Sequence, residues 1–366
     1  MNILLISTYN TECGIATYTK NLVRELAKEH KVFILAELEP KAFAPLSYTD
    51  KDTSARVFKT WKRNNPYGAD FGLSSIVNFL KTNNFKPDII HIQHEFGIFP
   101  NDDAFFTLLQ ELTGLTKSKV ITFHTISRPP INIGFFSKLE NYIVKTVAHT
   151  PAGHSVLSKP PGEFGIHSIH ALIPHGCPSP EAPGYKFAEH VTILCPGFIS
   201  PSKGHEELIE SFARAWPNFE KNPATLYIVG LCRDTSYLNR LQSQIKNYNL
   251  EQNIVIDEGF KTEQEMTKYL GSANIILLGG GKTSPYSASG QLAQAIGAQL
   301  PVIAKNIPIY RSQNSEKVLL FSDKTECALF IQQLVNNEKL REKLGKHEGF
   351  PTWVEVTKKH INLYNT

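Results

Sequence analysis

The chain has 366 residues, of which 41% are hydrophobic and 20% charged, and its formal net charge is +4 at pH 7. This length exceeds one ordinary hydrophobic core, so we predict two domains. The composition is that of a soluble globular protein, and the lack of a basic tail or acidic block argues against nucleic-acid binding as its main role.

The first eight residues form an apolar run that is too short for a membrane span and lacks the charged start of a signal peptide, so we predict a buried first strand at 3–7. The five cysteines are widely spaced and form no C-x-x-C pair. They predict reduced thiols, no zinc site and a cytoplasmic protein, with the inner membrane surface as a second location.

Short apolar runs alternate with amphipathic helices through the first half of the chain. We predict a helix over 16–28 and strands at 32–37, 89–93, 120–124, 155–157 and 171–174. This alternation is typical of parallel sheets covered by helices on both faces. The basic cluster at 59–63 indicates a solvated loop, with contact to an anionic acceptor or a membrane surface as the alternative.

The loop at 176–184 contains three prolines and two glycines and indicates an interdomain linker. The alternation then restarts, with strands predicted at 191–195, 225–229, 254–257 and 275–278. Helices are predicted at 206–216, 236–248, 262–270, 327–346 and 352–364. The fold class is therefore α/β, with two doubly wound Rossmann-like domains that we expect to face each other across a cleft.

Residues 281–290, GKTSPYSASG, form a glycine- and serine-rich loop between a predicted strand and a short helix. Such a loop exposes backbone N–H groups and the positive end of the helix dipole, which together attract an anion. In a parallel sheet this position lies at the carboxyl end of a strand, where ligands bind. The alternative is an ordinary strand-to-helix connection.

Six segments occur along the chain in a fixed order: GIATY at 14–18, HIQHEFG at 91–97, TFHT at 122–125, IPHG at 173–176, GFISPSKG at 197–204 and the stretch 290–304. In this order they resemble family-4 (group 1) glycosyltransferases over essentially the whole chain. The resemblance implies the GT-B fold, retention of anomeric configuration, and a nucleotide-sugar donor such as GDP-mannose or UDP-glucose. It also implies an acceptor domain at 1–180, joined by a C-terminal helix at 353–366, and a donor domain at 187–352.

The resemblance implies a role for each residue that matches the motifs. Lys203 is expected to bind the donor diphosphate, because a compact cation at a strand-to-helix turn suits phosphate oxygens; the alternative is a surface lysine. His124 matches a histidine that faces the donor sugar, so we predict a catalytic role, with a buried structural histidine as the alternative. The second phosphate clamp is expected from four backbone amides: Ser287, Ala288, Ser289 and Gly290.

Several further positions carry weaker expectations. Gly14 is either a point of close ligand approach or a turn glycine. His94 and Glu95 are expected to bind the acceptor, or else form a hydrogen-bonded loop pair, and Glu258 with the following Gly-Phe is a candidate contact to the nucleotide base. No D-x-D carboxylate pair follows a predicted strand, and Asp102-Asp103 is placed in a loop, so no metal and no separate cofactor are expected.

The chain departs from the family pattern at three positions. Typical members carry two glutamates eight positions apart, and Tyr286 and Gln294 occupy those positions here. Gln294 can still hydrogen-bond the ribose hydroxyls, and Tyr286 keeps a hydroxyl for the sugar. Phe198 replaces the usual arginine near the phosphate lysine, and Lys282 is the nearest substitute cation.

Two function classes follow. The first is a retaining hexosyltransferase, mannosyl or glucosyl favoured, that acts on a glycan or glycolipid acceptor in polysaccharide biosynthesis. The alternative is a non-catalytic GT-B protein that binds a glycan or partners an active transferase. A phosphorylase or epimerase on the same fold is a third option.

Overall fold

The computed structural model describes eleven segments of the chain: 1–38, 45–62, 72–116, 118–126, 133–142, 144–158, 169–178, 190–219, 223–281, 284–313 and 316–366. The chain divides into two compact units. The first comprises Met1–His175, Pro285–Ala288 and Trp353–Thr366, and the second comprises Gly176–Ser284 and Ser289–Thr352. The domain limits at 180 and 187 fall outside the described residues and stay a prediction.

Within the described residues, the first unit contains an eight-stranded sheet. Its strands are β1 (Asn2–Ser7), β2 (Lys31–Glu37), β3 (Ser47–Thr49), β4 (Arg56–Trp61), β5 (Ile89–His94), β6 (Ser118–Phe123), β7 (Lys145–Ala148) and β8 (His170–Leu172). They lie in the order β3-β4-β2-β1-β5-β6-β7-β8, and all neighbours are parallel except β3 and β4. The strands that follow β1 in the chain first extend the sheet on one side of β1 and then, from β5 onward, on the other side, as in doubly wound folds. Ligands bind at such switch points.

Five helices connect these strands: α1 (Gly14–Leu26), α2 (Ser74–Thr82), α3 (Asp102–Leu112), α4 (Ile133–Leu139) and α5 (Pro151–Leu157). α1 is amphipathic and buries Tyr18, Leu22 and Leu26 on one face. α5 begins where the Thr150 hydroxyl accepts from the Gly153 N–H at 3.1 Å, which is an ordinary N-cap. Local sequence therefore orients α1 and starts α5.

The described part of the second unit contains a six-stranded parallel sheet. Its strands are β9 (Val191–Pro196), β10 (Ala224–Gly230), β11 (Ile254–Glu258), β12 (Ile275–Leu278), β13 (Val302–Lys305) and β14 (Val318–Phe321). They lie in the order β11-β10-β9-β12-β13-β14, the 3-2-1-4-5-6 order of a Rossmann fold. The central strand β12 is buried along its whole length, as its continuous apolar sequence predicts.

The helices of the second unit are α6 (His205–Ala215), α7 (Thr235–Asn247), α8 (Glu263–Ser272), α9 (Gly290–Gly297), α10 (Pro308–Arg311), α11 (Lys324–Asn336) and α12 (Glu338–Gly345). The last helix, α13 (Trp353–Asn365), belongs instead to the first unit. Its Val356 and Leu363 pack in the same buried cluster as Leu22 and Leu26 of α1. The expected return of the C-terminal helix to the first unit is confirmed.

Three predicted elements were wrong. Residues 155–157 form the last turn of α5, and the strand before it is β7. Asp102 and Asp103 start α3 instead of lying in a loop, because the Asn101 side chain caps that helix at Ala104 N. The helix predicted at 327–346 is two helices, because Asn337 takes an extended conformation and caps a new start.

Residues 59–61 of the basic cluster are also not a solvated loop, whereas Lys62 is exposed after the end of β4. Lys59 and Trp61 lie in β4 and are buried, with Lys59 Nζ donating to the Tyr9 carbonyl at 3.1 Å. Trp61 Nε1 donates to the Leu35 carbonyl at 3.0 Å. Arg63 lies outside the described residues. The buried side chains of this strand supply no surface for an anionic acceptor or a membrane.

Candidate functional site

Lys203 lies at the tight turn that joins β9 to α6. It ends a short 3₁₀ helix, Pro201–Lys203, and the following Gly204 has a left-handed φ of 66°. A Cβ at 204 would lie 3.1 Å from the Gly280 backbone nitrogen, so both the conformation and the packing favour glycine there. The strand-to-helix turn predicted at Lys203 is present in the structure.

A glutamine that the sequence analysis did not select holds the Lys203 ammonium. Lys203 Nζ donates to Gln291 Oε1 at 2.9 Å, and Gln291 Nε2 donates to the Pro196 carbonyl. Gly197, with a φ of 112°, leaves room for this amide, because a Cβ at 197 would collide with Gln291 Nε2. A glycine directly after a buried strand was the one sequence signal that another group approaches the backbone there.

Burial lowers the pKa of Lys203, while the nearby Cys195 thiol opposes the shift. The lysine is half-buried, and the hydrogen-bond partner of its ammonium is a neutral amide oxygen. Such an ammonium gains more from a phosphate oxygen than an exposed lysine does, because charge-assisted hydrogen bonds are stronger where water is excluded. This part of the second unit is chemically suited to an anion.

The backbone amides of the glycine- and serine-rich loop are divided between the two units, and one of them donates to a side chain. Ser289 caps α9 by accepting from Leu292 N at 3.2 Å, and its own N–H donates to Gln313 Oε1. Ser287 and Ala288, in contrast, group with the first unit. The Ser289 amide is therefore already engaged, and the phosphate clamp from the four amides at 287–290 stays a prediction. Lys282 lies outside the described residues.

The segment Pro285–Ala288 is anchored on the first unit by side-chain and backbone contacts. Ser287 Oγ lies 3.1 Å from Thr125 Oγ1, and the Pro285 carbonyl accepts from Thr150 Oγ1 at 3.1 Å. The Tyr286 ring packs against the buried apolar cluster of that unit. Tyr286 thus has a packing role there, which the pattern of the loop did not predict.

His124 follows β6 and lies half-buried among polar and aromatic rings of the first unit. Its Nε2 lies 2.9 Å from Gln93 Oε1, and its ring meets the Tyr18 ring edge-on with centroids 4.8 Å apart. Burial lowers the pKa of His124 well below its usual 6.5. His124 is therefore a neutral imidazole, suited to orienting or accepting from a hydroxyl group and unsuited to acting as a fixed cation.

His94 is fully buried, which contradicts its expected role in acceptor binding. Its ring centroid lies 4.7 Å from that of Phe105 and 5.0 Å from that of Phe123. Strand alternation places His94 on the same face of β5 as Ile90 and Ile92, whereas His91 and Gln93 occupy the other face. Alternation within HIQH could therefore have identified His94 as a core residue.

Glu95 is half-buried at the turn after β5, and its acceptor role stays a prediction.

Glu258 ends β11 and accepts from Cys232 N at 3.1 Å, so its side chain joins the end of this strand to the loop after β10. Phe260 and Phe198 are both partly exposed, and the Arg233 guanidinium lies 5.9 Å from the Phe198 ring centre. A cation therefore lies next to the residue that replaces the usual arginine.

Gly14 is the first residue of α1, and the N-cap before it makes no side-chain capping bond. A Cβ at Gly14 would meet no heavy atom within 4 Å, so the fold itself does not require glycine there. Open space beside an uncapped helix N-terminus is compatible with close approach of a ligand.

We predict that Gly14→Ala changes the free energy of unfolding by no more than about 1 kcal/mol. The same substitution should weaken ligand binding to the first unit. Thermal melts and calorimetry with UDP-glucose and GDP-mannose measure both quantities. Gly297→Ala is the control, since its Cβ would lie 2.5 Å from Pro178 Cδ and should destabilise the fold. Unchanged affinity for every donor and acceptor that wild type binds would show that Gly14 is only a turn glycine.

A D-x-D sequence does follow a strand, because β3 was not predicted and ends just before Asp50-Lys51-Asp52. Asp50 Oδ1 accepts from the backbone of Asp52 and Thr53 at 3.0 and 2.9 Å, and Asp52 pairs with Lys20 at 2.6 Å. These contacts make it a hydrogen-bonded turn. In the described segments no group of three potential ligating side chains is placed to hold a metal. Metal independence stays a prediction.

The predicted site residues are divided between the two units. Gly14, His124 and the segment Pro285–Ala288 lie in the first unit, whereas Lys203, Ser289, Gly290 and Gln294 lie in the second. Gln294 is half-buried in the second turn of α9.

Within the described helices, none combines the length and apolarity that crossing a membrane requires.

Two family models match the chain by sequence. Residues 13–159 match the model described as Glycosyltransferase Family 4, and residues 184–348 match the model described as Glycosyl transferases group 1. No functionally curated protein matches the chain with significant sequence similarity.

Several solved structures have the same fold over the whole chain. Sucrose-phosphate synthase from Thermosynechococcus elongatus is 17% identical with a TM-score of 0.74, covering 100% of this chain and 98% of its own. HepE from Anabaena, solved with UDP and glucose, is 15% identical with a TM-score of 0.71 and coverage of 100% and 99%. The catalytic domain of starch synthase IV from Arabidopsis thaliana, bound to ADP and acarbose, is 11% identical with a TM-score of 0.69 and coverage of 100% and 98%. These similarities confirm the predicted GT-B fold.

Proposed function

We propose that this chain, a group 1 glycosyltransferase by its match to two family models, transfers a hexosyl group from a nucleotide sugar to a glycan or glycolipid with retention of configuration. We further propose a mannosyl or glucosyl donor, a role in polysaccharide biosynthesis, and turnover without a divalent metal. A cytoplasmic location, with or without contact to the inner membrane surface, is part of the same proposal.

The observation that carries this proposal is the state of Lys203. Lys203 is half-buried, burial lowers its pKa, and its ammonium donates to the neutral amide of Gln291. Among the ion pairs formed by described residues, none includes Lys203. A departing diphosphate would supply the missing negative charge, and stabilising that leaving group is what transfer chemistry demands. HepE and starch synthase IV were solved with nucleoside diphosphates, which supports this choice of ligand.

The second chemical requirement is a group that faces the reacting sugar. We propose His124 for this role, because a neutral imidazole can accept from a sugar hydroxyl without repelling an oxocarbenium-like centre. Gln294 would bind the ribose hydroxyls through its amide. The diphosphate would be neutralised by Lys203 and helix dipoles, so no metal is needed in this scheme.

Release of nucleoside diphosphate from a panel of UDP- and GDP-sugars tests the proposal directly. We expect one donor to be turned over, with equal rates in EDTA and in Mg²⁺, and the anomeric coupling of the product to match that of the donor. A reaction without the protein serves as the blank, and Lys203→Ala is expected to release nucleoside diphosphate more slowly than wild type. Absence of turnover and of nucleotide binding for the whole panel would reject the transferase, and loss of turnover on chelation would reject metal independence.

The alternative is a non-catalytic binding protein, and one observation favours it. Tyr286 and Gln294 occupy the positions of the usual glutamates, and Tyr286 packs into the core of the first unit. A site that has lost both carboxylates also lacks their charge-assisted contacts to the donor.

Gln294→Glu separates the two functions. We predict that ribonucleotide affinity rises by about 1 kcal/mol at neutral pH, because a carboxylate accepts from both ribose hydroxyls with charge assistance. Calorimetry and a melting curve on this variant are the measurements. A lower melting temperature without nucleotide binding in either form would support the binding protein, since a buried carboxylate without a diol costs stability.

A further inference from the structure

A continuous hydrogen-bonded row links His124 to the C-terminal helix inside the first unit. His124 Nε2 lies 2.9 Å from Gln93 Oε1, and Gln93 Nε2 lies 3.2 Å from His91 Nε2. His91 Nδ1 then lies 2.7 Å from the Tyr364 hydroxyl of α13. Thr122 Oγ1 is also 2.8 Å from His91 Nε2. His91, Gln93 and Thr122 are fully buried, so this geometry is enclosed by the fold.

The chemistry of the amide determines where each proton lies. An amide oxygen only accepts, so the His124 Nε2 that faces it must carry a proton. An amide nitrogen only donates, so His91 Nε2 must be the unprotonated nitrogen, and its proton lies on Nδ1 toward Tyr364. Because both rings are neutral, the remaining nitrogen of His124, Nδ1, keeps its lone pair.

We propose that Gln93 is a positioning residue that holds His124 as its Nε2-protonated tautomer, so that Nδ1 accepts a hydrogen bond from a hydroxyl of the donor sugar. The ligand in this inference rests on the proposed transferase function, whereas the tautomer rests on the geometry alone. A carboxylate in place of Gln93 would stabilise the imidazolium, and the amide instead fixes the ring without adding charge. The C-terminal helix α13 takes part as well. Its Tyr364 hydroxyl contacts His91, and His91 contacts the Gln93 amide on the side away from His124.

The opposite orientation of the Gln93 amide is the alternative. It would place the amide nitrogen against His124 and the oxygen against His91, and each histidine would then take the other tautomer. His124 would offer an Nδ1–H donor to its ligand instead of an acceptor. The two arrangements therefore differ in which nitrogen of one ring carries the proton.

Nitrogen-15 NMR of histidine-labelled, ligand-free protein at neutral pH distinguishes them. His124 is assigned by the signals that disappear in His124→Gln. We expect a protonated Nε2 and an unprotonated Nδ1 in a single tautomer, with slow exchange of the Nε2 proton. A protonated Nδ1 would overturn the proposal, and so would a mixture of the two forms.

Three variants then test whether Gln93 acts through His124. Gln93→Met should speed exchange of the Nε2 proton and lower kcat about tenfold with a smaller change in KM for the donor. Gln93→Glu should keep Nε2 protonated but move the titration of His124, and with it the acid limb of the pH–rate profile, to higher pH. Thr122→Val is the matched control: it removes a contact to His91 and should leave the His124 proton in place.

The groups around His124 that enter its titration are four other histidines of the unit: His149, His175, His91 and His94. If Gln93→Glu destabilises the protein but leaves the titration of His124 unchanged, Gln93 is only structural. The NMR readouts need no substrate. If the transferase function is wrong, wild type will be inactive but will show the expected tautomer of His124. If this inference is wrong, the enzyme will be active but His124 will show the other tautomer.

Discussion

Lys203→Ala should weaken the binding of UDP or GDP by about 1.5–3 kcal/mol, or roughly ten- to a hundred-fold, because it removes a charge-assisted contact to the diphosphate. The folded state should change little, since the desolvated ammonium costs free energy to bury. Calorimetry on wild type and variant measures the affinity, and thermal melts confirm that both are folded. Lys324→Ala is the control, because it removes a surface lysine of the same unit that pairs with Glu210.

Gln291→Glu tests the same site in the opposite sense. A carboxylate at the position of Gln291 Oε1, 2.9 Å from Lys203 Nζ, would pair with the ammonium and compete with the diphosphate. We expect weaker nucleotide binding, and a thermal melt is needed beside it because the variant also loses the hydrogen bond from Gln291 Nε2 to the Pro196 carbonyl. Nucleotide affinity that is equal in wild type, Lys203→Ala and Gln291→Glu would place the diphosphate elsewhere.

The pH dependence of nucleotide binding follows from the lowered pKa of Lys203. Only the protonated amine attracts phosphate, and burial shifts its pKa below the usual 10.5. Affinity should therefore fall as the pH rises into the alkaline range, before ordinary lysines lose their charge. Lys203→Ala should lack this decline, which identifies the titrating group.

The second large effect is loss of stability in mild acid. Three fully or almost fully buried histidines of the first unit are neutral when folded: burial lowers the pKa of His149 to about 3 and of His360 to about 4, and lowers that of His91 well below 6.5. Below pH 6.5 the unfolded chain binds protons that the folded chain does not. The free energy of unfolding therefore decreases as the pH falls from 6.5 toward the folded-state values.

The contribution of each histidine rises from half of 1.4 kcal/mol per pH unit at pH 6.5 toward about 1.4 below it, so three of them remove about 5 kcal/mol between pH 6.5 and 5. That loss is comparable with the whole stability of many domains. Urea unfolding at several pH values, followed by tryptophan fluorescence in Trp216→Phe, reports the first unit alone through Trp61 and Trp353. His360→Gln should reduce the pH slope by about 1.4 kcal/mol per unit. An unchanged slope in that variant would contradict the prediction.

The sequence by itself determined the two-sheet architecture and the turn at Lys203. Apolar runs such as the one in β12 can only be buried strands in a parallel sheet, and amphipathic helices such as α1 must cover them. The return of the C-terminal helix came from the family resemblance, and packing against α1 confirmed it. Short strands with polar residues, such as β3 and β7, were missed because their patterns are too brief to differ from loops.

Only the tertiary structure decided which side chains meet. Lys203 and Gln291 are 88 residues apart, and His91 and Tyr364 are 273 apart, so no local pattern links them. His94 and His124 both come at the carboxyl end of a strand, yet one enters an aromatic core and the other a polar row. The physical reason is that strand and helix patterns report which residues are buried, whereas hydrogen-bond partners depend on how distant segments pack.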